Sequence, residues 1–126
     1  MAWIFDNDRP IYAQLVEQLQ LQIVSGVYLP GEKLPEIKEL AAIAAVNPNT
    51  MQKALIELEK RGLIRSQSLS ERVVSEDEQL IRNSRQELAK RQAAHFFVEM
   101  ERLGYTRGQA IEFLQDMEGK GGGGDE

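Results

Sequence analysis

The chain has 126 residues, 42% of them hydrophobic, a net charge of −5 and no cysteine. This length allows one ordinary domain or a small head with an appendage, and the missing cysteines exclude a disulfide framework and a cysteine-based zinc site. Because the N-terminus has no apolar signal segment and no stretch approaches the length of a membrane span, we expect a cytoplasmic protein with no membrane partner.

The first predicted helix begins near Pro10 and ends near Gly26. Proline is tolerated in a first helical turn because its missing N–H costs nothing there, and glycine commonly ends a helix. Apolar residues recur at helical spacing along this segment and should be buried: Tyr12, Leu15, Val16, Leu19 and Ile23.

Two shorter helices follow, joined by a turn of about two or three residues, which is the length found in a helix-turn-helix. The first covers 35–45, and its apolar residues are Ile37, Leu40, Ala41 and Ala44. The second begins at Pro48, is capped by Asn47, and ends at Gly62 in a left-handed cap. Its predicted buried face consists of Met51, Ala54, Leu55 and Leu58.

The opposite face of this last helix carries side chains that suit DNA recognition. Asn and Gln can pair with adenine edges, Thr can contact a thymine methyl or a phosphate, and Lys can reach guanine or the backbone. The candidates are Asn49, Thr50, Gln52 and Lys53. Taken alone, such a face is more typical of an ordinary amphipathic helix, and it is the preceding helix and tight turn that favour DNA reading.

Two short β-prone runs come next, Leu63–Ser66 and Arg72–Ser75, separated by five polar-rich residues. The order helix, helix, helix, hairpin is that of a winged helix-turn-helix. We therefore predict a mainly α fold with a small β-hairpin, followed by a two-helix C-terminal dimerisation segment.

A dozen or more positions in fixed register extend this pattern. They are Pro10-Ile11-Tyr12, Gly26, Leu29-Pro30-Gly31, Leu34-Pro35, Glu39-Leu40-Ala41, Val46-Asn47-Pro48-Asn49-Thr50, Lys53-Ala54, Leu58-Glu59 and Gly62-Leu63-Ile64. Over roughly its first 65 to 75 residues the chain resembles the DNA-binding domain of GntR-family bacterial transcription regulators. The Asn-Pro-Asn-Thr segment and the short tail resemble the YtrA-like branch. The resemblance implies a homodimeric repressor, commonly encoded near membrane transporters, that binds an inverted repeat in double-stranded DNA.

The chain differs from the family's usual DNA-contacting residues at the start of the second helix and in the wing. Where the family usually has Leu-Pro-Ser-x-Arg, this chain has Leu34-Pro35-Glu36-Ile37-Lys38, so Lys38 retains the charge without the planar donor geometry of arginine. The family's wing has a basic, glycine-containing tip, whereas 66–72 contains no glycine. We expect a wing that contacts phosphates through Arg65 or Arg72, or contributes little. The predicted DNA-binding residues are Lys33, Lys38, Asn47, Asn49, Thr50, Gln52, Lys53, Arg65 and Arg72.

The charge is distributed unevenly along the chain. Residues 31–75 contain seven basic residues against six glutamates, a net of +1, and 76–126 contain seven basic against eleven acidic residues, a net of −4. The acidity therefore lies mainly outside the DNA-reading segment. This balance predicts weak non-specific binding and a need for two DNA-binding heads.

The C-terminal part supplies a means of pairing two heads. A long helix is predicted over 76–103, broken at Gly104, and Thr106 with Gln109 has the capping-box spacing that opens a last short helix. The predicted dimerisation residues are Ile81, Leu88, Phe96, Met100, Leu103, Phe113 and Leu114. We expect a DNA-binding domain over 1–75, a dimerisation segment over 76–118 and a flexible tail over 119–126. The effector is unknown, and the dimer cleft is the only location we expect for one.

Enzymatic activity has little support in the sequence. His95, the only histidine, is predicted to be a partly buried packing residue, and no phosphate loop, nucleophile motif, metal site or cofactor is expected. The stronger competitor is a winged-helix protein-interaction module that has lost specific DNA binding. Glu36, Glu71 and the glycine-free wing favour that alternative, and the intact segment Asn47–Lys53 opposes it.

Overall fold

The computed structural model describes residues 3–68 and 70–121. The elements within these residues are α1 (Ile11–Val24), α2 (Ile37–Ala44), α3 (Pro48–Lys60), β1 (Ile64–Ser66), β2 (Arg72–Val74), α4 (Glu78–Arg102) and α5 (Arg107–Gly121). The chain forms two compact units, Met1–Gln86 and Glu87–Glu126, which we call the head and the tail unit. The predicted fold class, mainly α with a small hairpin, is confirmed.

The core of the head lies where α1 and α2 pack against α3. Its largest fully buried side chains come from all three helices and from the hairpin: Leu15, Leu19, Leu40, Met51, Leu55, Leu58, Leu63 and Val74. The apolar positions predicted for these helices are buried, except that Tyr12 and Ile37 are half-buried. Burial of one face on each helix leaves the opposite face of α3 directed to solvent.

The turn between α2 and α3 has the predicted length and the predicted cap. Ala45, with a φ of 60°, ends α2 in the left-handed region, so the helix stops one residue before the predicted boundary. The Asn49 backbone N–H donates to Asn47 Oδ1 at 2.7 Å, and Pro48 occupies the first helical turn. Asn47 therefore fixes the start of α3.

The wing is wider than the sequence indicates. β1 pairs antiparallel with β2, placing Ile64 opposite Val74. The segment 31–34 lies along the other edge of β2, where the Gly31 N–H donates to the Val74 carbonyl and the Leu34 N–H to the Arg72 carbonyl, each at 2.9 Å. Hydrogen bonds on both edges of β2 hold the wing to the body of the head.

Gly62 ends α3 at a φ of 80°, as predicted for a left-handed cap. A Cβ at this position would also meet Leu80 Cδ1 at 3.3 Å. We expect Gly62→Ala to lower the free energy of unfolding of the head by about 1 to 2 kcal/mol, because a left-handed backbone is unfavourable for residues other than glycine. Urea unfolding monitored by circular dichroism measures this change.

Gly119→Ala is the matched control for that substitution. Gly119 lies inside α5 and a Cβ there would meet no atom within 4 Å. Alanine is favoured over glycine in a helix, so this variant should be as stable as the wild type or slightly more stable. Equal destabilisation by the two substitutions would contradict the role given to Gly62.

The tail unit consists of the rest of α4 and α5, joined at Gly104, whose φ is 101°. Thr106 and Gln109 form the predicted capping box, since the N–H of each donates to the side-chain oxygen of the other, at 2.9 and 3.1 Å. α5 continues to Gly121, and it therefore includes the first three residues of the segment 119–126 that the sequence predicts as a flexible tail. Residues 122–126 lie outside the described residues.

The residues predicted to pair two chains differ in exposure. Leu103, Phe113 and Leu114 are exposed, and those that are half-buried are Leu88, Phe96 and Met100. Ile81 is only 6% exposed and belongs to the head, so it packs there and offers almost no surface to a partner. His95 is exposed rather than partly buried, because its place on α4 lies outside the packed face of Phe96 and Phe97.

Candidate nucleic-acid interface

The first half of α3 presents the candidate DNA-reading side chains. Asn49, Gln52 and Lys53 are exposed, and Thr50 is half-buried. The buried face of the same helix anchors these positions from behind, so the polar side chains project from a fixed backbone. Asn47 Oδ1 accepts the hydrogen bond that caps α3, so this residue has a structural role in the chain without DNA.

Basic residues flank this surface, and several are already paired with carboxylates. Lys33 Nζ lies 2.9 Å from Glu71 Oε2, which joins the segment before α2 to the wing. Lys38 on α2 and Lys53 on α3 are exposed. Arg61, at the end of α3, donates through Nε to Glu57 at 3.0 Å. The positive charge of this region is therefore partly neutralised within the chain.

Glu59 on α3 holds both strands of the wing. Its Oε1 accepts from Arg72 Nε at 3.0 Å and its Oε2 accepts from the Ser66 hydroxyl at 2.9 Å. The Arg72 side chain is only 12% exposed. In the single chain Arg72 therefore braces the wing against α3, whereas Arg65, one position before Ser66, is exposed.

We expect Arg72→Ala to lower the free energy of unfolding by about 1 to 3 kcal/mol, because it removes a charged hydrogen bond from a nearly buried site. The slope of log affinity against log salt for DNA should stay unchanged. Arg65→Ala is the matched control and should reduce that slope by about one with little effect on stability, as removal of a phosphate contact does. Fluorescence anisotropy at several salt concentrations and urea unfolding provide the two measurements. A reduced slope in Arg72→Ala would contradict the brace.

Acidic residues also lie near the expected DNA surface. Glu36 precedes α2 without making a side-chain cap, and Glu39 lies in the first turn of α2.

Burial raises the pKa of the Tyr28 phenol above its ordinary value, and the charges of Glu32 and Glu39 raise it further. Tyr28 therefore stays neutral at physiological pH.

Metal ligands, membrane-spanning helices and clefts are the other features that could define a site. Within 3–68 and 70–121, no group of three or more His, Asp or Glu side chains is placed to hold a metal ion. In the described part of the chain, no helix is long and apolar enough to cross a membrane. A shallow cleft of about 200 Å³ lies in the head between the end of α1 and the first turns of α4, lined among others by Ile23, Ile81, Arg82 and Arg85.

The fold and the exposed face of α3 define a winged helix-turn-helix transcription regulator. Over residues 11–74 the chain matches the family described as "Bacterial regulatory proteins, gntR family". The protein belongs to the GntR family, and it is a regulator with a DNA-binding domain and not an enzyme.

Individual relatives extend this likeness beyond the head. The chain is 30% identical over 111 residues, 88% of this chain and 92% of the other, to the "Uncharacterized HTH-type transcriptional regulator YhcF" of Bacillus subtilis. It is 45% identical over 58 residues, 46% of this chain and 45% of the other, to the "HTH-type transcriptional repressor YtrA" of the same organism. Among solved structures, a GntR family transcriptional regulator from Listeria monocytogenes has a TM-score of 0.78 and 34% identity, covering 89% of this chain and 98% of that one. The resemblance to YtrA-like regulators is confirmed.

Proposed function

We propose that the protein is a repressor that binds an inverted-repeat operator in double-stranded DNA as a homodimer, with the first half of α3 in the major groove. One observation carries the proposal: Asn49, Gln52 and Lys53 are exposed on a helix whose opposite face is buried. The similarity to a protein named as a repressor supports the direction of regulation. This function places the protein with chromosomal DNA in the bacterial cytoplasm.

The polar residues divide into base-reading and backbone-contacting groups. Asn49 and Gln52 carry amides that can pair with adenine edges, and Thr50 and Lys53 can reach a thymine methyl, a guanine or a phosphate. Contacts with the DNA backbone are assigned to Lys33, Lys38, Asn47 and Arg65. Arg72 is not among them because its side chain is nearly buried as well as bonded to Glu59, whereas the paired Lys33 is exposed.

Pairing of two chains is assigned to the segment 76–118, apart from the first turns of α4, which pack in the head. Leu103 is 73% exposed and Leu114 46% exposed in the single chain. Apolar surface of this kind is stabilised when a second copy covers it, and two-fold pairing presents two heads to an inverted repeat.

The test is selection of binding sites from random duplex DNA with the purified full-length protein, followed by titration of the selected duplex and a scrambled duplex at two salt concentrations. We expect an enriched inverted repeat and saturable binding at least about 1,000-fold tighter than to the scrambled duplex, as for specific DNA-binding proteins. Equal affinity for both duplexes would overturn the proposal.

The second candidate is a protein-interaction module. It is favoured by Glu36 near the expected phosphates and by the carboxylates that already occupy Lys33 and Arg72. Under this alternative the same titration gives equal, weak binding to every duplex. The exposed amides of α3 favour the regulator.

A further inference from the structure

A buried amide joins three helices of the head. Gln20, on the core side of α1, is only 5% exposed. Its Nε2 donates to the Ser84 hydroxyl of α4 at 2.7 Å, and its Oε1 accepts from Arg61 Nη1, at the end of α3, at 3.0 Å. Both ends of the amide are therefore used, one toward α4 and the other toward the DNA-reading helix.

The hydrogen bonds continue from Arg61 along α3. Arg61 Nε donates to Glu57 Oε2 at 3.0 Å, and the Tyr12 hydroxyl of α1 donates to Glu57 Oε1 at 3.4 Å. The network thus runs from the first turns of α4, through α1, to the last turns of α3. Its members lie within the head, so it describes one compact unit.

Packing alone does not require a glutamine at this place. A buried amide costs free energy unless its hydrogen bonds are made, and an apolar side chain of similar size would fill the same space. The amide adds directional hydrogen bonds. Its donor requires an acceptor at Ser84 and its acceptor requires a donor at Arg61, so the pair of bonds specifies where both residues lie. Two neighbours reinforce the junction: Ile81 is buried, and Arg85 Nη1 donates to the Val24 carbonyl at 3.2 Å.

We propose that Gln20 is a positioning residue that holds the first turns of α4 to the reading head, and thereby sets the half-site spacing that the dimer accepts. α4 is one continuous helix from Glu78 to Arg102, and its later turns belong to the tail unit. A junction that holds the first turns of α4 therefore acts on the same helix that carries residues predicted to pair two chains. The proposal rests on the proposed function, because spacing has meaning only for a dimer on an inverted repeat.

The test uses the full-length chain with Gln20→Leu, which keeps the bulk and removes both hydrogen bonds. Ser84→Ala is a second variant that removes only the bond to α4 and leaves the core unchanged. Gln18→Leu, a half-buried glutamine of the same helix outside the network, is the matched control. Hydrogen exchange at the amides of 81–86 is measured first, and affinity is then measured for operators with one or two base pairs added between the half-sites.

In the wild type and in Gln18→Leu, one added base pair should lower affinity about tenfold or more, because it rotates one half-site by about a tenth of a turn. Gln20→Leu and Ser84→Ala should lose less than about threefold and should exchange the amides of 81–86 faster, with those of Leu55 and Leu58 unchanged. Exchange and spacing profiles equal to those of Gln18→Leu would overturn the inference and leave the proposed function intact. Absence of any preferred inverted repeat in the wild type would overturn the proposed function, while the exchange measurement still tests the junction.

Discussion

Replacing Asn49 and Lys53 together by alanine is expected to lower operator affinity by about 2 to 6 kcal/mol, which is roughly 30-fold to more than 10,000-fold. Both side chains are exposed in the first half of α3, where a helix-turn-helix places its base contacts. Neither side chain contributes to the buried face, so the fold should stay intact. Titration of the selected operator and of a scrambled duplex, with circular dichroism of each protein, measures the effect.

Lys60→Ala provides the control on the same helix. Lys60 is exposed in the last turn of α3, far along the helix from the base-contacting end, so its removal should change affinity by less than about threefold. The two single variants separate base reading from charge, since Lys53→Ala should reduce the salt slope by about one if it contacts a phosphate and Asn49→Ala should not change it. An unchanged affinity in the double variant would remove α3 as the reading helix.

Leu103→Asp with Leu114→Asp is expected to convert the protein to a monomer and to lower its affinity for the inverted repeat by about 100- to 10,000-fold. Both side chains are exposed in the single chain, and a carboxylate at each would be buried without a partner in a dimer. The second head loses its high effective concentration near the second half-site, which accounts for the size of the loss. Analytical ultracentrifugation and titration on full and half operators give the two readouts.

The matched control places the same charges on the head. Leu21 and Val27 are also exposed apolar residues, and Leu21→Asp with Val27→Asp should leave the protein dimeric. The tail-unit variant should bind a single half-site as weakly as the wild type does. A dimer that survives both substitutions in the tail unit would show that pairing uses another surface.

Local signals in the sequence were sufficient to predict most of the head. The cap at Asn47, the proline that follows it and Gly62 act within a few residues of themselves, and the apolar periodicity of α1 and α3 reports which face is buried. For the same reason the capping box of α5 was predictable from Thr106 and Gln109. Helix caps, helix-ending glycines and apolar periodicity each involve residues that are close together in the sequence, so a short stretch of sequence is enough to predict them.

Features that depend on distant residues were not predictable from such windows. A basic residue in the wing is expected to contact phosphates, but Arg72 bonds to Glu59, which is 13 residues away in the sequence. The bond between Gln20 and Ser84 joins residues 64 positions apart, and no periodicity reveals it. Ile81 has the spacing of a dimer residue and is instead covered by the head. In each case the contact depends on a residue that lies far away in the sequence.

Lys33 lies at the surface already bonded to Glu71, and the nearly buried Arg72 is bonded to Glu59. A phosphate that approaches Lys33 must displace a carboxylate of the same chain, so this contact with DNA replaces an ion pair that already exists. We therefore expect brief stays on arbitrary DNA and a correspondingly large share of time spent moving between sites. A chromosome offers far more arbitrary sites than operators. Weaker binding to arbitrary sites therefore leaves a larger fraction of the protein free to bind the few sequences that α3 can read.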